Sequence, residues 1–399
     1  MSRNVRFAFL PVPHCLNLRS NLARMLNPPS TRLRSLDGIR ALSILWMIGF
    51  HVVWLAQWYL EQDDRTLLLD SSLLVPLWNG HLGVDVFFVM SGFLIARILM
   101  HEFDSQGSVS FGRFYLRRAL RLLPAYYLVL FLTYFVRPNG FESVWANLLY
   151  VNNFVPFKQA YMQWTWSLAI EEQFYIVFPA FLLLLYRMRH YAIPAFLLLL
   201  VASLIVRGWV IVENFDVENF DIDALYTKPH TRFGPILCGV MAAYVARYTR
   251  FVERVGRHPR LFVAFSLLAL GMVALASFTT ATLLSAHPRL LVLWYASFRL
   301  CIALGVAWII LSDSGASLLD RTIHRCLQWR GWYPVAQLSY SAFLLHPLLI
   351  RIVYDTWSPS TVTGVLAAVP LFWVLSLLAS MPLYLLVERP VMNLRSVGA

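Results

Sequence analysis

Stretches of about 20 apolar residues recur along almost the whole chain, and few architectures can accommodate them. At 1.5 Å per helical residue, each is long enough to cross a hydrocarbon core roughly 30 Å thick. Segments such as AFLLLLVASLIVRGWVIV are apolar on every helical face. A membrane β-barrel needs instead segments of about ten residues with alternating polarity, so the pattern excludes it. Composition agrees, since 59% of the residues are hydrophobic and 14% charged, against roughly a quarter charged in soluble domains. The expected fold is all-α, a polytopic membrane protein of about ten transmembrane helices.

Charge, Pro and Gly bound ten spans, at approximately 39–58, 82–100, 120–136, 168–186, 191–211, 233–248, 260–279, 290–311, 333–353 and 363–386. Cations alternate with them. The N-terminal tail holds Arg3, Arg6, Arg19, Arg24, Arg32 and Arg34, and the even loops hold Arg113, Arg117 and Arg118, then Arg187 and Arg189. Arg250, Arg254 and Arg257 follow, then Arg321, Arg325 and Arg330, with Arg389 and Arg395 after the last span. The odd loops are acid-rich: Glu61, Asp63, Asp64 and Asp70 in the first, Glu213, Asp216, Glu218, Asp221 and Asp223 in the fifth. By the positive-inside rule both termini are expected in the cytoplasm. The net charge of +12, which in a soluble chain would suggest nucleic acid, is thus read as orientation, with no nucleic-acid partner. The only lysines, Lys158 and Lys228, fall in loops expected outside.

The expected organisation is a basic cytoplasmic tail (1–34), one membrane domain (35–390) and a short cytoplasmic tail (391–399). The first 35 residues show no apolar core followed by a small-residue cleavage site, so no removable signal peptide is expected. Cys15, Cys238, Cys301 and Cys326 form no CxxC pair, and neither a metal site nor a disulfide framework is indicated.

Ionisable groups inside membrane spans are functional candidates by default. They are Arg40, His51, Asp85, Arg121, Glu171, Glu172, Arg232, Arg299, His346 and Glu388. With the orientation above they sort into two groups. Arg40, Arg117, Arg118, Arg121 and Arg389 lie toward the inner face, with Glu388 as counter-charge. Asp85, Glu171, Glu172, Arg232 and His346 lie toward the outer face, and His51 falls between, about 16 Å above Arg40. Arginine's planar fork suits phosphate, so the inner group fits a phosphorylated cytoplasmic donor. Carboxylates with Trp164, Trp166 and Tyr175 fit a hydroxyl-rich acceptor from outside. This describes a transferase with His51 at its centre. A second reading also stays open, a transporter or flippase whose charges line a path, and a third is a non-catalytic scaffold. Residue by residue, Arg117, Arg118 and Arg121 also fit a topological anchor, Arg40 a snorkelling side chain and His51 a helix–helix contact. His346 beside Pro347 also fits support of a kink, and Glu171 and Glu172 point about 100° apart, so one at most serves the chemistry. Arg299 has no evident partner.

Six blocks together resemble the acyltransferase 3 family of integral-membrane acyltransferases. They are LDGIRALSILWMIGFH (36–51), GHLGVDVFFVMSGFLI (80–95), FYLRRALRLLPAYY (114–127), WSLAIEEQFYIVFP (166–179), LSYSAFLLHP (338–347) and VERP (387–390). The resemblance implies an enzyme of roughly ten helices in the inner (plasma) membrane, with no tightly bound cofactor. It would O-acylate a carbohydrate or glycolipid with acyl-CoA, commonly acetyl-CoA, as the donor substrate. It implies that Arg40 and His51 match the essential pair of the first helix, Arg118 and Arg121 the RxxR pair, Glu171 and Glu172 the carboxylate block, and Glu388, Arg389 and Pro390 the closing motif. His51, Glu171 and Glu172 are therefore expected to be catalytic, and Arg40, Arg118 and Arg121 to hold the donor. Trp166, Asp85, Arg232 and His346 are expected to hold the acceptor, with Glu388 and Arg389 in support. Some members of the family append an extracytoplasmic esterase-like domain. The chain ends nine residues past Pro390, so direct acceptance, a separate extracytoplasmic partner or a homo-oligomer is expected. A thioester is an activated donor, so neutral His51 is read either as general base or as acyl carrier, with Asp85 or a glutamate as candidates to orient it.

Overall fold

The computed structural model describes residues 17–29, 33–214, 222–279, 288–314 and 316–394. Arg3, Arg6, Cys15, Arg32, Asp216, Glu218, Asp221 and Arg395 lie outside the described residues. Ten long helices stand at the ten expected spans. They are α1 (Arg34–Ala56), α2 (Gly83–Gln106), α3 (Phe111–Val136), α4 (Trp166–Arg187) and α5 (Ala192–Glu213). The second half comprises α6 (Pro229–Tyr248), α7 (Pro259–Phe278), α8 (Pro288–Leu311), α9 (Trp332–Thr356) and α10 (Val362–Leu383). Nine helical stretches among the described residues are long and apolar enough to cross a membrane, and of the ten helices α6 alone falls outside them. It carries Arg232 and small residues, and most of it is buried against α2, α5 and α8. A helix enclosed by protein has little need of an apolar, lipid-facing surface.

The crossing of α2 with α6 shows why small residues sit there. A Cβ on Gly92 would stand 2.1 Å from the Ile236 carbonyl oxygen, and one on Gly239 would stand 2.0 Å from that of Val89. The two backbones therefore touch at reciprocal glycines, the close approach that packs helices where lipid removes any hydrophobic drive. On the outer surface the logic reverses. Leu197, Leu198, Val201, Ile205 and Trp209 of α5 are each more than half exposed, an apolar stripe suited to hydrocarbon.

Two apolar cores divide the bundle. One centres on α2, α4, α5, α6 and α8, and the other on α1, α3, α9 and α10; several helices feed both, as where Val86 and Val89 of α2 enter the first and Val84 and Phe88 the second. Helix boundaries differ from the sequence reading mainly where arginine replaces apolar residues. The third span was expected from 120, yet α3 starts at Phe111 and carries Arg113, Arg117 and Arg118 as helix, because arginine is a good helix former. The last span ends in a widened π turn, Tyr384–Glu388, before a short helix Arg389–Asn393. Pro390 follows at once and cannot donate to the carbonyl one turn back, which accounts for the local widening. That turn buries Glu388.

Candidate active site

Two cavities occupy the bundle on either side of Val84 and Phe343, which line both. The first, about 790 Å³, runs between α1, α2, α3, α4, α9 and the π turn. Seven arginines line it against four carboxylates, Asp37, Glu102, Glu171 and Glu388. The Arg118 guanidinium lies 3.8 Å from the centre of the Tyr175 ring, and its Nε is buried without a hydrogen-bond partner. The Arg389 Nε is likewise unpartnered, while Arg40 and Arg121 complete the wall. The second cavity, about 570 Å³, is lined by eleven aromatic residues, Trp54, Trp78, Trp164, Trp166 and Tyr226 among them, together with His51 and His81.

His51 faces this aromatic cavity, and its hydrogen bonds assign its tautomer. His346 Nδ1 lies 2.9 Å from the Ala342 carbonyl, and His51 Nδ1 lies 3.0 Å from the Met47 carbonyl. A carbonyl only accepts, so both Nδ1 atoms carry hydrogen. His346 Nε2, 3.2 Å from His51 Nδ1, is then the acceptor of a His51 N–H shared with Met47. This leaves the lone pair of His51 on Nε2. Positions i and i−4 on a helix make each ring-to-carbonyl bond a local consequence of sequence, while the α1–α9 packing brings the two rings to 4.8 Å.

Sequence reasoning placed some of these residues differently. His346, expected to hold the acceptor, is fully buried, lines neither cavity and supports His51 instead. Asp85, proposed both for the acceptor and as orienter of the imidazole, is also fully buried and outside both linings. It bridges Arg299 Nη1 (2.6 Å) and Arg232 Nη1 (3.4 Å), which gives Arg299 the partner that the sequence did not reveal. Arg232 is enclosed by Phe88, Trp166 and Tyr226 and is likewise absent from the linings. Trp166 does line the aromatic cavity. Glu171 and Tyr175, expected with the acceptor, line the arginine-rich cavity instead, where the Tyr175 hydroxyl donates to Glu171 (3.0 Å). That cavity runs from the start of α4 (Ser167, Leu168) to the far end of α2 (Gln106), so one cavity brings the carboxylate and arginine groups together. Glu172 lines neither cavity, and its Oε1 is buried and unpartnered. Glu388 accepts from the Ser341 hydroxyl and lies in the field of Arg121.

With this arrangement in view, comparison with known proteins is decisive for the family. The sequence profile described as an acyltransferase domain, that of acyltransferase 3, matches residues 33–389. The chain belongs to the acyltransferase 3 family. This acyltransferase 3 chain is 29% identical over 343 residues to the peptidoglycan O-acetyltransferase OatA of Listeria monocytogenes, covering 80% of this chain and 49% of that protein. It is 32% identical over 230 residues to a putative O-acetyltransferase of Staphylococcus aureus, covering 53% and 34%. It is 23% identical over 436 residues to the regulator of hypoxia-inducible factor 1 of Caenorhabditis elegans, covering 96% and 84%. The chain thus spans about half the length of the Listeria relative and a third of the Staphylococcus one. No solved structure matches.

The acyltransferase 3 blocks build both cavities. The first block supplies Arg40 to one and His51 to the other, because the two lie eleven residues apart on α1. Sequence reasoning missed His81, Arg137, Arg207 and Arg351, all in the aromatic cavity's wall. His81 stood inside a quoted block, but Arg207 looked like one charge in an apolar run, and nothing in the sequence aims it inward.

Proposed function

We propose that this protein is an integral-membrane O-acyltransferase that moves an acyl group, in the simplest case acetyl, from acyl-CoA to a hydroxyl of a carbohydrate or glycolipid. The observation that carries this reading is the lone pair of His51 Nε2, facing an aromatic cavity that abuts an arginine-rich one. The relatives' names favour O-acetylation, and a volume near 790 Å³ is ample for a cofactor-sized ligand. The donor's phosphates fit Arg40, Arg118 and Arg121, since guanidinium forks match phosphate oxygens. Sugar faces fit the aromatic cavity. The positive-inside rule then turns the arginine-rich cavity to the cytoplasm and the aromatic cavity outward, in a multi-pass protein of the inner (plasma) membrane.

The chemistry balances without a metal. His51 Nε2 takes the proton of the acceptor hydroxyl as its oxygen bonds to the thioester carbonyl carbon. The carbon–sulfur bond then breaks, and the imidazolium returns the proton to the CoA thiolate, leaving ester and free thiol. While His51 is charged, its Nδ1–H bond to His346 Nε2 strengthens, so the buried imidazolium is never without an acceptor. Glu171 lies on the donor side and is assigned to the electrostatics there. Glu172, which lines neither cavity, is given no chemical step, and His51 is assigned as the catalytic base.

The purified protein in lipid, given labelled acetyl-CoA, should release CoA in step with ester formation only when acceptor is present. Replacing His51 with Ala should lower that rate by on the order of 10²–10⁴ with the protein still folded in the membrane. Undiminished acylation by the variant sinks the mechanism, and movement of acceptor without CoA release sinks the reaction in favour of transport.

A further inference from the structure

We infer that the aromatic cavity is built for an anionic acceptor: a saccharide or glycolipid whose reacting hydroxyl is accompanied by a carboxylate or a phosphate. The inference rests on the acyl-transfer reading above and adds to it the acceptor's charge.

The first observation is the balance of charge. Arg137, Arg207, Arg299 and Arg351 line the cavity against one lining carboxylate, Asp223; Arg351, half exposed, is paired with Asp355 (3.6 Å), which leaves the buried arginines to carry the excess. The Asp223 carboxylate is already engaged, with Oδ2 accepting from the Phe157 backbone N–H (2.7 Å). Just behind the wall, Asp85 answers Arg299 and Arg232 together. Arg207, Arg232 and Arg299 are all buried, so three guanidinium charges share one buried carboxylate and two are left over. Arg207 is held by backbone: Nε, Nη1 and Nη2 donate to the carbonyls of Ala296, Thr231 and Tyr295. Those carbonyls satisfy its hydrogens without cancelling its charge. Buried like charges without counter-charge are strongly unfavourable, and two of the three, Arg207 and Arg299, line the cavity itself.

The second observation is independent and geometric. Among the described residues, the cavity wall holds two buried polar atoms with no hydrogen-bond partner, Arg299 Nε and Trp164 Nε1. Arg299 is 5% exposed and Trp164 is 9% exposed. Both atoms are obligate donors, and a buried donor left unpaired is costly. A neutral sugar hydroxyl would satisfy either donor and leave the charge standing. A carboxylate or phosphate answers both, with charge-assisted bonds that are shorter and stronger than neutral ones. The aromatic residues around them exclude water and leave the sugar ring a stacking surface, so the anion adds selectivity to a cavity that already fits carbohydrate.

Full-length protein in phosphatidylcholine nanodiscs, titrated with glucose 1-phosphate, glucuronic acid, glucose and inorganic phosphate, tests this directly. Tryptophan fluorescence reads binding, and CoA release from acetyl-CoA reads transfer as a separate measurement. The two charged sugars should bind at least roughly tenfold tighter than glucose, one charge-assisted hydrogen bond or more, and the advantage should shrink with added salt. Inorganic phosphate should bind more weakly than glucose 1-phosphate. Replacing Trp164 with Phe keeps the ring, removes the donor and should lower the charged sugars' affinity several-fold; Arg299→Gln should lower it further. The Trp164 variant carries the test if loss of Arg299 prevents folding. Equal affinity for glucose and its charged counterparts overturns the inference, and so does inorganic phosphate binding as tightly as the sugar phosphate. Quenching by phosphatidylglycerol in the nanodisc that displaces glucose 1-phosphate would assign the site to a lipid headgroup and also overturn it. Preference for charged sugars without any CoA release leaves this inference standing and removes the transfer reading beneath it.

Discussion

The two cavities carry arginines in different ways. In the arginine-rich cavity the excess of cations is tempered by four carboxylates, and the cations reach the surface: the Arg117 side chain is 42% exposed and paired with Glu102 at 3.3 Å. In the aromatic cavity Arg351 is likewise half exposed and paired, with Asp355 at 3.6 Å, but the Arg299 side chain is 6% exposed and lies among rings, 4.8 Å from the centre of Phe298 and 5.4 Å from that of Tyr226. An exposed guanidinium is screened by water and salt, so it attracts phosphates broadly and releases them readily. A buried guanidinium has no water to fall back on and demands a matched partner. The first arrangement suits a donor that exchanges at every turnover, and the second suits discrimination among acceptors. Two cavities of the same sign can therefore perform opposite tasks and meet at Val84 and Phe343, which line both.

The largest effect expected from separating those tasks is on the donor side. Arg118→Gln combined with Arg121→Gln removes two charges that fit the donor's phosphates and should raise KM for acetyl-CoA on the order of a hundredfold, two charge-assisted bonds' worth. KM for the acceptor, measured at saturating donor, should stay within a factor of two or three, roughly half a kcal/mol. If both constants rise together, the cavities are not independent compartments and the comparison fails.

The sequence makes one cavity far more legible than the other. Arg118, Arg121 and Arg389 stand in short blocks on the segments that bound the arginine-rich cavity, where charge counting finds them. Ten helices were likewise visible, because an apolar run of 20 residues has one stable solution in lipid. The aromatic cavity's charges come from α5, α8, α9 and the segments that follow α3 and α5, far apart in the chain. Arg207 and Arg299 each sit alone in an apolar run, and only the packing of α6 between α2, α5 and α8 brings them to Asp85. Depth estimated along a single helix does not say which cavity a side chain lines, and Glu171 proves to share one with Arg118 and Arg40. The role of His346 was hidden for the same reason: its contact with His51 is a tertiary fact about α1 and α9.

A smaller effect should come from the histidine pair, and it sharpens the division by touching neither substrate. His346→Ala removes the acceptor for His51 Nδ1–H and should lower kcat on the order of tenfold to a hundredfold, the range seen when a supporting partner of a functional histidine is lost. Both KM values should hold. His346→Gln, whose carboxamide oxygen also accepts a hydrogen bond, should recover part of the loss. A rise in acceptor KM instead would return His346 to the acceptor site, where the sequence had placed it.

The smallest effect lies outside both cavities, at the joint that fixes the start of α1 against the helix Leu318–Leu327. The Ser35 hydroxyl donates to Asp313 (2.8 Å), and His324 Nδ1 and Gln328 Nε2 approach the same carboxylate at 3.1 Å. The hydrogen bond from His324 leads the others in holding the Asp313 carboxyl below its usual range. A carboxyl whose folded value is depressed stabilises the fold above its unfolded value, near 3.9, and loses that contribution as pH falls through the lower folded value. Asp313→Asn removes the contribution, so its melting temperature should fall by roughly 2 °C at pH 7, about 1 kcal/mol or less, and the two proteins should converge below about pH 4. Because Leu36, the next residue along α1, already lines the arginine-rich cavity, the same variant also reads how firmly that wall is held. An unchanged donor KM at pH 7 assigns Ser35 and Asp313 to the scaffold, whereas a donor KM that rises with acceptor KM fixed makes the joint part of the arginine-rich cavity and moves its boundary one helix turn outward.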